Sequence, residues 1–272
     1  MSQKISRLAL LFACFAFTAF AQNDNPVQTG KPEPGKLVLQ TVELPKSTCV
    51  WNNHDVSQLG IPKAVDKTQT ESVLYWLFLP KDYDGVKMVP LLLFLHGAGE
   101  RGVDGGAVKV HGPTKLLTNN TTAESWKFLT VAPQCKPNYY WSPEQLFLLL
   151  DDIEKNYKVD KRRVYVTGLS MGGFATWMML NENVSRITAA VPICGGGDPA
   201  WAGKMLETPI QVFHGDKDGA VNIDMSRKMI EAIEKLGGKK ITFTVYPGVG
   251  HDAWTQTYDK PELYEWMLKQ SL

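Results

Sequence analysis

Residues 163–173 read Arg-Val-Tyr-Val-Thr-Gly-Leu-Ser-Met-Gly-Gly, and this stretch decides the fold. Val164–Thr167 is rich in β-branched and aromatic residues, which is typical of a buried strand, and residues 173–180 follow a helical pattern. Between them, residues 168–172 have the form G-x-S-x-G. This strand–turn–helix needs small residues two before and two after the serine, because the backbone is crowded there. The stretch therefore predicts a nucleophile elbow with Ser170 at its tip.

Further strands and helices alternate on both sides of the elbow. The run Pro90–Leu95 is continuously apolar, as expected of a strand buried on both faces. The other predicted strands are Leu37–Leu44 and Val73–Leu79, which alternate like an antiparallel edge, and Phe128–Ala132, Ala189–Ile193, Ile210–Phe213 and Ile241–Tyr246. The predicted helices are Pro143–Tyr157, Met171–Leu180, Asp224–Leu236 and Pro261–Leu272. The order predicts an α/β fold with a mostly parallel central sheet and helices on both faces. Residues 194–209 are too few to hold a large cap domain.

Composition excludes several classes of protein. Of 272 residues, 44% are hydrophobic and 21% are charged, which excludes low-complexity disorder and collagen-like fibres. Lys and Arg number 29 against 28 Asp and Glu, a formal charge of +1. Such a balance indicates no nucleic acid or other polyelectrolyte partner.

The N-terminus has the pattern of a secretory signal peptide. Residues 1–21 contain Lys4 and Arg7, then an apolar run over residues 8–17, and end in Ala-Phe-Ala. We expect cleavage after Ala21, a secreted or periplasmic protein, and no stable membrane insertion afterwards. Residues 22–36 contain three prolines and no apolar periodicity, which predicts a flexible leader before a catalytic domain over residues 37–272. Cleavage leaves Cys49, Cys135 and Cys194, whose pairing the sequence does not decide.

A nucleophilic serine needs a base and an acid, in the chain order Ser…Asp…His for this fold. His251 follows the last predicted strand, where a loop can bring its imidazole over Ser170. Asp216 and Asp218 both follow the preceding strand, in His-Gly-Asp-Lys-Asp. We favour Asp218 as the acid, and the alternative role for Asp216 is to hold loop amides.

The loop after the Leu91–Leu95 strand reads His96-Gly97-Ala98-Gly99, in the position of an oxyanion loop. Its small residues let the main chain approach a substrate. The predicted oxyanion donors are the backbone N–H groups of Met171 and Ala98. This chemistry requires no metal ion and no organic cofactor.

The predicted substrate-binding residues are Trp141 and His111, which lie in loops that the fold brings to this end of the sheet. Trp201 and Trp254 are further candidates for the walls of the site.

Three motifs resemble one group within the α/β-hydrolase superfamily: Leu-Phe-Leu-His-Gly-Ala-Gly-Glu-Arg-Gly at 93–102, Gly-Leu-Ser-Met-Gly-Gly at 168–173 and His-Gly-Asp-Lys-Asp at 214–218. The group comprises secreted bacterial serine esterases, often labelled predicted peptidases. It is similar to feruloyl and acetylxylan esterases, to polyhydroxybutyrate depolymerases and to the catalytic domain of prolyl oligopeptidases. The resemblance covers about residues 70–272, and it implies that the acid is the last aspartate of H-G-x-x-D, which is Asp218.

The sequence thus predicts a secreted serine carboxylic-ester hydrolase that forms an acyl-enzyme on Ser170. The expected substrates are small-molecule or polysaccharide-linked esters with small acyl or aryl groups, including acetyl and feruloyl esters of plant polysaccharide. One alternative is a serine peptidase of the prolyl-oligopeptidase type, which would need a charged subsite for a peptide terminus. The other is a catalytically silent binding module on the same fold. Such a module would need no nucleophile, base, acid or oxyanion loop.

Overall fold

The computed structural model describes residues 29–50 and 65–272. The predicted signal peptide and residues 22–28 of the predicted leader lie outside the described residues. The strands are β1 (Leu37–Ser47), β2 (Val65–Phe78), β3 (Val89–Leu95), β4 (Leu129–Pro133), β5 (Val159–Leu169), β6 (Ala189–Ile193), β7 (Ile210–Gly215) and β8 (Ile241–Tyr246). The α-helices are α1 (Gly112–Leu116), α2 (Asn120–Ser125), α3 (Pro143–Asn156), α4 (Met171–Asn183), α5 (Asp224–Lys235), α6 (Trp254–Tyr258) and α7 (Pro261–Leu268).

The strands form one 8-stranded sheet in the order β1-β2-β4-β3-β5-β6-β7-β8. The pairs β1–β2 and β2–β4 are antiparallel, and every pair from β4–β3 to β7–β8 is parallel. The predicted α/β class and the antiparallel edge are therefore confirmed. Because β3, β5, β6 and β7 are parallel, their carboxyl ends and the loops that follow them meet at one edge of the sheet.

The central strands are covered on both faces. In β3, Leu91, Leu93 and Leu95 point into one apolar cluster, which α3, α4 and α5 complete. Leu92 and Phe94 point into a second cluster on the other face, which α6 and α7 complete. Residues 194–209, between β6 and β7, contain one short 3₁₀ helix, Pro199–Lys204, so this connection holds no cap domain.

The chain before β1 contacts the antiparallel edge of the sheet at two points. The Gly30 N–H donates to the Leu39 carbonyl at 3.2 Å, and the Gly35 N–H donates to the Leu79 carbonyl at 2.8 Å. Both glycines lie within the predicted leader over residues 22–36, whose flexibility stays a prediction. Its prolines prevent a regular strand but allow single backbone contacts.

Cys49, Cys135 and Cys194 are buried, and none of the three is in a disulfide. Burial raises the pKa of the Cys135 and Cys194 thiols to about 12, so both are protonated at neutral pH. Among the helices of residues 29–50 and 65–272, none has the length and apolar character needed to span a membrane.

Candidate active site

The predicted elbow is present at the carboxyl end of β5. Ser170 lies between β5 and α4 with φ 52° and ψ −116°, a region that residues other than glycine rarely occupy. Holding a serine there costs about 1–3 kcal/mol, which the surrounding packing must supply. A side chain on Gly168 would overlap the Gly172 carbonyl, and one on Gly172 would overlap the carbonyl of Leu95 in β3. The two glycines therefore let the backbones of β3, β5 and the first turn of α4 pack closely enough to hold the turn.

Gly172→Ala is expected to destabilise the protein by on the order of 3 kcal/mol or more, because the new methyl group meets backbone that cannot rotate away. Thermal unfolding followed by circular dichroism measures the effect. The matched control is Gly203→Ala, whose methyl group would lie 4.0 Å from Leu236 Cδ1 in ordinary contact. Equal melting temperatures for Gly172→Ala and wild type would contradict the elbow geometry.

Ser170, His251 and Asp218 form one hydrogen-bonded chain. Ser170 Oγ lies 2.9 Å from His251 Nε2, and His251 Nδ1 lies 2.7 Å from Asp218 Oδ2. Because an ionised carboxylate only accepts hydrogen bonds, His251 Nδ1 carries the hydrogen and Nε2 of the neutral ring is left as the acceptor for the serine hydroxyl. The side chains predicted as nucleophile, base and acid are thus arranged for transfer of the Ser170 proton to His251.

The Asp218 carboxylate is fixed from both sides. Its side chain has no exposed surface, and its Oδ1 accepts the N–H groups of Ala220 and Val221, each at 2.9 Å. Burial alone would raise the pKa of Asp218, but hydrogen bonds from His214, His251 and the Val221 N–H outweigh it and hold the pKa well below its usual range. Asp218 is therefore ionised at any pH at which such a triad works.

Asp216, the alternative acid, has a different partner. Its Oδ1 accepts the Gly248 N–H at 2.7 Å, in the loop between β8 and His251. Asp216 therefore holds a loop amide, which is its alternative role from the sequence, and within the described residues the imidazole of His251 bonds to Asp218 instead.

The loop after β3 lies directly against the nucleophile. A Cβ placed on Gly97 would be 3.5 Å from Ser170 Cβ and 2.9 Å from Glu100 Oε2. The Gly97 N–H already donates to Glu100 Oε2 at 2.8 Å. The N–H groups of Ala98 and Met171 donate to no acceptor among residues 29–50 and 65–272. These two amides, the predicted oxyanion donors, are thus available for a substrate oxygen.

His96 and Trp141 support this loop from inside the protein. His96 Nε2 accepts the Cys135 N–H at 3.0 Å, and burial lowers the pKa of His96 to about 4, so the ring is neutral. Trp141 Nε1 donates to the His96 carbonyl at 3.2 Å, and only 4% of the residue is exposed. The indole is therefore packed behind the loop and almost wholly buried, and the role of Trp141 in substrate binding stays a prediction.

His111 and Trp254 lie beside the triad. The Trp254 ring packs edge-to-face against two imidazole rings. Its ring centroid lies 5.0 Å from that of His251 and 5.5 Å from that of His111. The His111 side chain is 26% exposed, which leaves it open to a ligand, so its role in substrate binding stays a prediction. Trp201 packs against the cluster formed with α3, α4 and α5.

Glu100 is a site residue that sequence reasoning missed. Its carboxylate lies between the oxyanion loop and His111, whose Nε2 is 3.8 Å from Glu100 Oε1. Burial raises the pKa of Glu100, and the nearby His111 and the Gly97 N–H act in the opposite direction. A glutamate three residues after an N-cap position, here Gly97, is a capping-box signal that the sequence already contains.

One cluster in the described chain has the composition of a metal site. Ligand atoms of Cys194, Asp218 and His251 lie within 4.8 Å of one another. These atoms already have partners, since Asp218 binds His251 and the Cys194 thiol donates to the His251 carbonyl at 3.2 Å. The cluster is therefore accounted for as the triad with a protonated thiol behind it.

Parts of the chain are similar to known hydrolases. Residues 143–265 match the model of the dienelactone hydrolase family. The chain is 29% identical over 149 residues to a bifunctional acetylxylan esterase/xylanase of Neocallimastix patriciarum, covering 49% of this chain and 20% of the relative. It is 31% identical over 128 residues to acyl-protein thioesterase 1 of Debaryomyces hansenii, covering 45% and 55%. The chain thus spans about a fifth and about half of the lengths of these two relatives.

Solved structures agree with this placement. A thermostable esterase superposes with a TM-score of 0.68 at 33% identity, over 76% of this chain and 61% of that one. A feruloyl esterase module from Clostridium thermocellum, complexed with sinapinate, superposes with a TM-score of 0.56 at 15% identity, over 85% and 89%, and shows the fold alone. The sheet order, the elbow and the Ser–His–Asp arrangement are those of the α/β-hydrolase fold.

Proposed function

We propose that this protein is a serine hydrolase that cleaves carboxylic esters through an acyl-enzyme on Ser170. The observation that carries the proposal is the unbroken chain of hydrogen bonds from Ser170 to His251 to Asp218, next to the N–H groups of Ala98 and Met171, which have no acceptor in the described part of the chain. A binding module would need neither the strained serine nor a base aligned on it.

In the first half of the reaction, Ser170 Oγ attacks the ester carbonyl carbon while its proton moves to His251 Nε2. The carbonyl oxygen becomes an oxyanion, which the N–H groups of Ala98 and Met171 stabilise. When the intermediate collapses, the bond to the alcohol oxygen breaks and His251 returns the proton to that oxygen. In the second half, His251 takes a proton from water, whose oxygen attacks the acyl carbon. The bond between the acyl carbon and Ser170 Oγ then breaks, His251 returns the proton to Oγ, and the acid is released.

We propose small acyl and aryl esters as substrates, including acetyl and feruloyl groups on polysaccharide. The acetylxylan esterase relative and the similarity in fold to a feruloyl esterase module support this class. The absence of a cap between β6 and β7 leaves room for an ester attached to a large carrier. His111 and Trp254 offer an aromatic edge beside the triad for an acyl or aryl group.

We also propose that the protein is exported to the periplasm or the medium. The support is the sequence of residues 1–21 alone. Export would place the enzyme with polymeric esters that do not enter a cell.

A peptidase is the second candidate, and Glu100 is the observation that favours it, because an aminopeptidase needs an acid for the substrate's ammonium group. One Glu100 oxygen is bound to the Gly97 N–H and the other faces His111. Because both carboxylate oxygens of Glu100 already face protein groups, the carboxylate is less suited to bind a substrate's ammonium group, and we rank ester hydrolysis above peptide hydrolysis.

The test is a panel of p-nitrophenyl acetate, butyrate and octanoate, methyl ferulate, acetylated xylan and aminoacyl p-nitroanilides, with Ser170→Ala as the blank. We expect turnover of the short acyl esters or of methyl ferulate, with kcat/KM at least about 100-fold above that for the anilides. Turnover of anilides without any ester would instead assign the peptidase activity.

A further inference from the structure

The peptide group between Gly97 and Ala98, which carries one of the predicted oxyanion N–H groups, is held by a buried histidine. His96 Nδ1 lies 2.7 Å from the Gly97 carbonyl oxygen. Because His96 is neutral and its Nε2 accepts the Cys135 N–H at 3.0 Å, the ring hydrogen is on Nδ1 and is donated to the Gly97 carbonyl. The peptide bond is trans, so the Ala98 N–H points in the opposite direction from that carbonyl, away from His96.

Glu100 holds the other backbone group of Gly97. Its Oε2 accepts the Gly97 N–H at 2.8 Å, and only 15% of its side chain is exposed. The backbone of Glu100 is held in turn, because its carbonyl accepts a hydrogen bond from Gln134 Nε2 at 2.8 Å. Gly97 is therefore hydrogen-bonded through both its N–H and its C=O, by two side chains that are themselves anchored in the protein.

Gly97 needs this restraint because it has no side chain to limit its torsions, and glycine has the most freely rotating backbone of all residues. A Cβ at this position would lie 2.7 Å from Leu169 Cδ1 and 2.9 Å from Glu100 Oε2, so a side chain here would displace both neighbours. The same Cβ position is 3.5 Å from Ser170 Cβ. A rotation about the Cα–C bond of Gly97 would therefore turn the Ala98 N–H away from the nucleophile.

We propose that Glu100 is a positioning residue of the oxyanion hole, whose carboxylate holds the Gly97 N–H so that the next amide, that of Ala98, faces the substrate carbonyl oxygen. This role rests on the proposed function, because an oxyanion hole is used in acyl transfer. One Glu100 oxygen binds the Gly97 N–H and the other faces His111, so Glu100 acts through the loop. The role requires a hydrogen-bond acceptor and no charge, because a negative charge beside the hole would repel the developing oxyanion.

Glu100→Gln and Glu100→Met test whether an acceptor is what Gly97 requires, since the two new side chains are similar in length and only glutamine supplies an acceptor. On the ester that the wild type hydrolyses best, we expect Glu100→Met to lower kcat by about 10- to 100-fold, with KM within about threefold of wild type. Glu100→Gln is expected to keep kcat within about threefold of wild type. The matched control is Glu231→Met, at an exposed position of α5, which should keep both constants.

Equal kcat values for Glu100→Met and wild type would overturn the proposal, and so would an equal loss in Glu100→Met and Glu100→Gln. A raised KM at unchanged kcat would place Glu100 in ground-state substrate binding, which also overturns it. Circular dichroism checks that each variant is folded. If Glu100→Met does not fold, Glu100→Ala carries the same expected loss of kcat, because alanine also lacks an acceptor.

Reaction with a fluorophosphonate tests the same role without ester turnover. Ser170 Oγ displaces fluoride from phosphorus, its proton passes to His251, and the phosphoryl oxygen takes the place of the oxyanion. We expect the second-order rate constant of labelling, measured by mass spectrometry, to fall about tenfold or more in Glu100→Met and to stay within about threefold of wild type in Glu100→Gln.

The two assays separate the role of Glu100 from the proposed function. If the wild type hydrolyses no ester and the labelling rates follow the expected pattern, the proposed function fails while the role of Glu100 stands. A wild type that hydrolyses esters, with neither assay sensitive to Glu100→Met, would overturn the role of Glu100 alone. A wild type that neither hydrolyses esters nor reacts with the fluorophosphonate would overturn both.

Discussion

Ser170→Ala is expected to lower kcat by about 10⁴- to 10⁶-fold on any ester that the wild type hydrolyses, because no other group can form the acyl-enzyme. The residual rate over water would come from the oxyanion amides and substrate binding. The Ser170 hydroxyl bonds to His251 and is not part of the core, so we expect the melting temperature to change little. An organophosphorus reagent should label the Ser170 peptide of the wild type and leave the alanine variant unlabelled, as read by mass spectrometry.

The matched control is Ser185→Ala, an exposed serine whose hydroxyl donates to Asn183 Oδ1. It should keep the wild-type kcat and KM. A Ser170→Ala protein with kcat within tenfold of wild type would move the nucleophile elsewhere in the chain, even if the fold were intact.

The elbow and the strand order could be predicted because their determinants are local. The glycines around Ser170 are required by the close approach of backbone in a strand–turn–helix, and a continuously apolar run such as Leu91–Leu95 fits only a strand buried on both faces. Chain order then indicated His251 and left Asp216 and Asp218 as candidate acids, between which the resemblance of the His-Gly-Asp-Lys-Asp motif favoured Asp218. Each of these inferences depends on residues close in sequence and on a general property of parallel sheets.

What the sequence left open depends on contacts between distant segments. Trp141 was predicted as a substrate residue because its loop reaches the correct edge of the sheet, yet its indole turns inward to the His96 carbonyl. Glu100 was missed because its contact with His111 appears only once the chain after β3 has folded back on itself. The contact of His214 with Asp218 becomes visible only with the loop after β7 in place. Side-chain direction in loops is set by such packing and not by local pattern.

Asp218→Asn is expected to lower kcat/KM by about 10⁴-fold while leaving the fold intact. The direction of the new amide is set by its surroundings. The N–H groups of Ala220 and Val221 both need an acceptor at Oδ1, whereas His214 Nε2, which faces Oδ2, can still donate to the Val221 carbonyl at 3.0 Å, so the asparagine oxygen takes the place of Oδ1. Its NH₂ group then faces His251 Nδ1, which must become an acceptor, and the only hydrogen of the neutral ring moves to Nε2. In that tautomer His251 cannot accept the Ser170 proton.

Asp216→Asn is the control that separates the two carboxylates of this loop. An asparagine oxygen can still accept the Gly248 N–H that Asp216 Oδ1 binds at 2.7 Å, so the loop that carries His251 should keep its path. We expect kcat/KM for Asp216→Asn to stay within about threefold of wild type, on the order of 0.7 kcal/mol in the barrier. Steady-state kinetics on one activated ester measures both variants side by side. The reverse result, loss in Asp216→Asn with activity kept in Asp218→Asn, would require His251 to exchange its carboxylate partner during catalysis, because the present geometry provides a hydrogen bond to Asp218.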